Sequence, residues 1–146
     1  MKVIFLDFDG VLNGHEWLHI GGLRVAQKCV ACLNQLVSVS GAELVISSTW
    51  RSAYNCGDVT LDGFEWMMAT HGIVAPIRDL LPADINEPAA RSRQINTWIK
   101  QYSPSAYVVL DDLPLSVQNL VRPNPAIGLE PYHVTAALQL LGAHSK

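Results

Sequence analysis

Short apolar runs that end abruptly in acids or hydroxyls constrain this chain more than any other feature. Val3-Ile4-Phe5-Leu6 runs into Asp7-Phe8-Asp9-Gly10, Leu44-Val45-Ile46 into Ser47-Ser48-Thr49, and Tyr107-Val108-Val109-Leu110 into Asp111-Asp112. Buried strands do not tolerate ionised carboxylates in their interiors, so these residues belong at strand ends. Amphipathic stretches of helical period separate the runs, the pattern of βαβ units around a mostly parallel sheet. The expected fold class is α/β, with three layers, α/β/α.

The spacing predicts a strand over 3–8 and a helix over 23–39, where Val25, Cys29, Cys32, Leu33, Leu36 and Val37 share a face and Gly41 ends the helix. A second strand is expected over 43–47. Asp62 is placed to cap a helix through Phe64, Met67 and Met68 to His71, and Gly72 then releases a strand over 73–77. A helix over 89–101 aligns Ile95, Trp98 and Ile99 and is closed by Pro104. Strands over 107–110 and 126–129 and a helix over 132–141 complete the pattern. No repeat or linker divides the 146 residues, so residues 1–146 are expected to form one domain.

In an open parallel sheet, ligands bind beyond the carboxyl ends of the strands, where the connecting loops part. Asp7, Ser47 and the Asp111-Asp112 pair all fall at such ends. Carboxylates gathered there repel one another and stay ionised when a hard, oxygen-liganded cation such as Mg²⁺ joins them. The chain is thus expected to carry a metal-assisted site for an anion.

The residues support a family resemblance. Asp7-Phe8-Asp9-Gly10-Val11-Leu12, Ile46-Ser47-Ser48-Thr49, Arg91 and Leu110-Asp111-Asp112 resemble, in that order, the four motifs of the haloacid dehalogenase-like (HAD) phosphohydrolase superfamily. Asp-Gly-Val-Leu-Asn together with Ser-Ser-Thr-Trp-Arg further resembles the small HAD domains associated with RNA repair proteins. The resemblance implies a Rossmann-like sheet with the Asp7 strand at its centre, and a Mg²⁺-dependent phosphomonoesterase working through an aspartyl-phosphate. Asp7 would be the nucleophile. Asp9 would protonate the leaving oxygen and then activate water. Mg²⁺ would be held by the Asp7 carboxylate, the Asp9 main-chain carbonyl and the second acid pair, with Asp112 as direct ligand and Asp111 close behind; either acid of that pair remains a candidate. Ser47 would bind a phosphoryl oxygen, with Ser48 or Thr49 as the alternative. Arg91 would bridge phosphate and nucleophile, and is preferred to Arg93 because Arg-x-x-x-Ile-x-x-Trp sets it at the start of a helix. Gly10 allows a sharp bend where a side chain would crowd the phosphate. Arg51 is a possible substrate contact or a salt bridge that fixes its loop.

Composition narrows the setting. A formal net charge of -3 and a sequence pI of about 5.9 advertise no broad basic surface for nucleic acid or anionic membrane. No apolar run approaches the ~20 residues of a membrane span, and Asp7 and Asp9 interrupt the opening apolar stretch before it can serve as a signal peptide. The three cysteines, Cys29, Cys32 and Cys56, do not suggest a disulfide framework, and a cytoplasmic location is expected. Cys29-x-x-Cys32 reads as buried thiols on a helix face rather than half a zinc site. His15 and His19 read as loop bystanders, and Trp50 as packing. The intervals from Gly10 to strand two and from Arg51 to Arg91 are too short for a large cap domain, so an open site is expected; the resemblance to capless HAD members, which act on large or extended substrates, and to the RNA repair domains implies a nucleotide or a phosphorylated polynucleotide end as substrate. Arg51, Arg78 and Arg93 are candidates for a track along its backbone. Two other readings are a receiver-like phosphorylated signalling domain, whose acid pair would follow the first strand instead of the last motif, and a catalytically silent HAD-fold binding module, which has no need of Asp9.

Overall fold

Alternation along β1 (Lys2–Leu6) decides how the layers pack: Val3 and Phe5 point to one side of the sheet, Ile4 and Leu6 to the other, and all four are fully buried. The computed structural model describes residues 1–14, 25–47, 60–82 and 87–143. The Ile4–Leu6 side is covered by α1 (Gln27–Ser40), α2 (Leu61–Thr70) and α4 (Pro131–Leu140), through Leu33, Leu36, Phe64, Met68, Val134 and Leu138. The Val3–Phe5 side packs on α3 (Pro88–Tyr102) through Ile95 and Trp98, with the Trp98 ring edge-on to Phe5 at 5.5 Å.

The sheet contains β1, β2 (Glu43–Ile46), β3 (Ile77–Leu80), β4 (Ala106–Leu110) and β5 (Leu120–Val121), all parallel, in the order β3-β2-β1-β4-β5. This is the expected three-layer, Rossmann-like α/β architecture with β1 central. Among the described residues no cap is inserted: α2 is the one regular element between β2 and β3, and none lies between β1 and α1. No helix among the described residues is long and apolar enough to cross a membrane.

Several boundaries differ from the sequence reading. The third strand runs over Ile77–Leu80, not 73–77. Pro76 has no N–H to give to a ladder, and the Ile73 N–H is used on the Met68 carbonyl at the end of α2. Thr60, not Asp62, caps α2, its hydroxyl accepting from Gly63 N at 3.0 Å, while Asp62 lies in the first turn. Residues 126–129 form no strand: the chain turns over 125–127, with Ile127 and Gly128 both donating to the Asn124 carbonyl. The fifth strand is instead the two-residue β5. Gly41 ends α1 as expected, left-handed at φ 70°, its N–H on the Val37 carbonyl.

Candidate active site

Register brings the acids level. Leu6 pairs with Ile46 on one side and with Leu110 on the other, so Asp7, Ser47 and Asp111 each stand one step beyond aligned strand ends. The backbone continues the ladders into this layer: Asp7 N–H donates to the Leu110 carbonyl and Ser47 N–H to the Leu6 carbonyl, each at 3.0 Å. The strand order reverses direction between β1 and β4, and the acids lie at that switch.

Asp7, Asp111 and Asp112 offer carboxylate oxygens that all lie within 4.8 Å of one another. Arg91, on the first turn of α3 and almost wholly buried, reaches into the group: its Nη1 lies 2.8 Å from Asp111 Oδ2 and 3.5 Å from Asp7 Oδ2. Asp111 is also fixed from its other oxygen, which accepts from Leu113 N at 3.0 Å. Arg93 is exposed, so of the two arginines only Arg91 turns toward the acids.

One guanidinium against three clustered carboxylates is too little positive charge. Burial, with the nearby Asp111 charge, pushes the Asp7 carboxyl up from 3.8 to about 8, against the opposing pull of Arg91, and Asp112 shares a hydrogen bond with it. Burial also raises Asp111, although Arg91 works to lower it. Arg91 itself is held in its charged form despite burial, because Asp111 and Asp7 outweigh the desolvation. A divalent cation would supply the missing charge, and hard carboxylate oxygens are the donors such an ion prefers.

Gly10 shapes the same cluster. It is left-handed at φ 80°, and a Cβ there would lie 2.7 Å from Asp112 Cγ and Oδ2. The crowding therefore falls on an acid of the cluster, where the sequence reading placed it on the phosphate.

Asp9 stands outside the trio and is exposed. Its orientation comes from Asn13, a residue that sequence reasoning did not single out. Asn13 is buried, donates from Nδ2 to Asp9 Oδ1 at 3.1 Å, and accepts the Gly10 N–H on Oδ1 at 3.0 Å. Its signals were its place at the end of Asp-Gly-Val-Leu-Asn and an amide three and four residues after Gly10 and Asp9, the spacing of a side chain that closes a turn.

The loop holding these residues leans on the segment before α4. Leu129 N–H donates to the Val11 carbonyl at 2.8 Å, and Gly128, at φ 82°, leaves room that a Cβ would fill, 2.8 Å from Cys29 Sγ and 2.9 Å from the Val11 carbonyl. Cys29 and Cys32 are both buried free thiols, with Cys29 Sγ directed at the Ile127 and Leu129 carbonyls and both thiols pushed up by burial.

A family model for the HAD domain in Swiss Army Knife RNA repair proteins matches residues 3–134. The chain belongs to this family. No curated protein and no solved structure matches it. Membership in the HAD family sets the chain among the HAD-type hydrolases and spans every residue of the cluster. Of the sequence-predicted site residues, the structure brings Asp7, Arg91, Asp111 and Asp112 into contact, with Asp9 and Ser47 beside Asp7 in the chain and in the strand layer. Ser48, Thr49, Trp50, Arg51, His15, His19 and Cys56 lie outside the described residues. Arg78 does not join the acids: it pairs with Glu43, the first residue of β2, at 3.6 Å, toward the opposite end of the strands.

The raised Asp7 carboxyl has a measurable consequence. Between pH ~4 and ~8 the folded, cation-free chain holds a proton that the unfolded chain has released, so this residue's contribution to stability is present at low pH and is lost as pH rises, by up to ~1.4 kcal/mol per pH unit. Asp7→Asn has no such dependence. In EDTA, the stability advantage of Asp7→Asn over the natural chain should widen from pH 5 to pH 8, and a divalent cation should narrow it. Denaturant melts read both; a gap that shrinks as pH rises in EDTA rejects this account of the cluster.

Proposed function

We propose that the chain is a Mg²⁺-dependent phosphomonoesterase that works through an aspartyl-phosphate on Asp7, with a nucleotide or a phosphorylated polynucleotide end as substrate. The observation that carries the reading is the placement of Asp7: at the carboxyl end of the central strand, against Arg91, with two further acids within ion-binding distance and another carboxyl, Asp9, two residues away and held by Asn13.

Mg²⁺ bound among Asp7, Asp112 and the Asp9 main-chain carbonyl would supply charge neutralisation for the phosphoryl oxygens and keep Asp7 ionised. Asp112 suits direct ligation better than Asp111, because both Asp111 oxygens are already engaged, by Arg91 and by Leu113 N. Asp111 then positions Arg91, and Arg91 orients the Asp7 carboxylate. Asp7 attacks phosphorus; its new O–P bond forms as the ester P–O bond breaks, and the leaving oxygen takes the proton of Asp9. Water then attacks the phosphorus of the acyl phosphate, giving its proton to Asp9 and freeing Asp7. Ser47, with Ser48 as its neighbour, contributes hydroxyl contact to the phosphoryl group, and Arg51 is assigned to substrate. A cytoplasmic setting accompanies this reading.

Hydrolysis of an aryl phosphate by the natural chain with Mg²⁺, abolished by EDTA and restored by Mg²⁺, is the expected result; no turnover of any phosphomonoester with the metal present would reject the proposal. The role of Asp9 has its own signature. Asp9→Asn should cut turnover of an alkyl phosphate by ~10²-fold or more and that of an aryl phosphate much less, because a good leaving group needs little protonation. Asn13→Ala should follow the same leaving-group trend at smaller amplitude, since it loosens Asp9 without removing the proton. Equal losses on the two substrates would remove Asp9 from the acid role and Asn13 from its support.

A further inference from the structure

Arg122 is the first residue after β5 and stands beside the end of β4, where Leu110 pairs with Val121. Its side chain is exposed, yet it is anchored: Nε and Nη2 donate to the main-chain carbonyl of Asp112 at 3.3 and 3.1 Å. It takes part in no ion pair with any described carboxylate, in contrast to Arg78 and Arg91. The chain that follows it turns over 125–127 and continues through Gly128 and Leu129, which pack against the loop carrying Asp9, Gly10 and Asn13. Arg122 thus sits on the rim of the acid cluster, bonded to the backbone of one of its acids.

A guanidinium has two edges that can each present a pair of N–H groups. The Nε–Nη2 edge of Arg122 is spent on Asp112. The Nη1–Nη2 edge remains, held in a fixed orientation by the first, and its geometry matches two oxygens of a phosphate. Because one edge is already immobilised, little further side-chain entropy is lost when the other engages. A salt-bridge staple would need a carboxylate, and none of the described ones meets it.

We propose that Arg122 binds a second phosphoryl group of the substrate, adjacent to the phosphomonoester held at Asp7. The inference rests on the phosphatase reading of that site and sharpens it: the favoured substrate carries two neighbouring phosphates. The second can be the phosphodiester of a polynucleotide chain or the other phosphate of a nucleoside bisphosphate. Arg122 also sets an exposed cation at an acid-rich rim, against an approaching anion.

The test compares kcat/KM on three probes, an aryl phosphate, a nucleoside 3',5'-bisphosphate, and dinucleotides phosphorylated at the 3' or 5' end, for the natural chain, Arg122→Gln and Arg122→Lys. Loss of the anchor on Asp112 would lower all substrates together, so the ratio of the doubly charged probe to the aryl phosphate is the decisive quantity. That ratio should fall at least tenfold in Arg122→Gln and by less in Arg122→Lys, for whichever of the two sources the site prefers. A fall for the dinucleotide alone assigns the diester, and a fall for the bisphosphate alone assigns the nucleotide. A ratio unchanged for both overturns the proposal and leaves Arg122 as a staple on Asp112. Binding of a fluorescent phosphorylated dinucleotide to Asp7→Asn, with and without Arg122→Gln, reads the same contact without turnover. Its affinity should fall at least tenfold at low salt, and equal affinities would overturn the proposal even if the chain hydrolysed no phosphate. Absence of aryl phosphate hydrolysis in the natural chain would instead count against the reading of the Asp7 site.

Discussion

Asp7→Asn should lower turnover by on the order of 10⁴-fold or more while leaving the fold intact. The amide keeps the size and shape of the carboxyl, and the residue's N–H remains on the Leu110 carbonyl, so the β1–β4 ladder is undisturbed. Under the proposed mechanism, what is lost is the attacking charge and one oxygen of the cation site, two contributions made at the reacting phosphorus itself. The same substitution removes a carboxyl whose burial and acidic neighbours hold it at about 8, so the cation-free variant should melt a few degrees higher than the natural chain at pH 8. Opposite movements of activity and stability are the expected pair. Activity within tenfold of the natural chain in a preparation free of it would sink the nucleophile assignment.

Arg91→Met should be the most damaging single change to stability, by ~3–5 kcal/mol at neutral pH. Arg91 is 3% exposed and its Nη1 stands between Asp7 and Asp111, so methionine fills the stem and leaves two buried carboxyls without their cation. The cost should shrink as pH falls, because Asp111, raised by burial even beside Arg91, takes up a proton more readily once the guanidinium is gone, while the cation-free Asp7 already holds its own at neutral pH. Adding Asp111→Asn to Arg91→Met should recover part of the loss, because the carboxylate stranded most deeply is then gone. Arg91→Lys should fall between, since it keeps a positive charge but loses the rigid planar group that places Nη1 between the two carboxylates. Urea titrations of the four proteins measure all of this; an Arg91→Met variant within 1 kcal/mol of the natural chain would show that the cluster does not depend on its guanidinium.

The layers and the acid cluster were legible in the sequence because each rests on a local rule. An apolar strand that ends in Asp7 must put that residue at a sheet edge, and helical spacing from Cys29 to Leu36 with Gly41 behind it leaves little choice of element. Arg91 was separable from Arg93 because Ile95 and Trp98 fix which way α3 faces, and both are buried on the sheet. What escaped detection depends on tertiary partners. The run 73–77 is more apolar than Ile77–Leu80, yet Asp79 is acceptable in the strand because its carboxylate takes the Leu80 N–H and the Trp98 Nε1–H, both at 2.8 to 2.9 Å. β5 is two residues long and follows Asn119 at φ 59°, too little pattern to register. Asn13 and Arg122 are polar residues whose meaning lies in the backbone carbonyl or carboxylate opposite, which no periodicity reveals.

The bond from Leu129 to Val11 and the close approach of Gly128 to that loop also set an order of assembly. During synthesis, a nascent chain that ends just before Gly128 already contains Asp7, Asp9, Arg91, Asp111 and Asp112, yet the turn bearing Asp9 and Asn13 lacks the support of the 128–129 segment. The turn that follows the first strand therefore waits on a segment more than a hundred residues further along the chain, and a chain cut before Gly128 would carry its acids with the Asp9–Asn13 turn unsteadied.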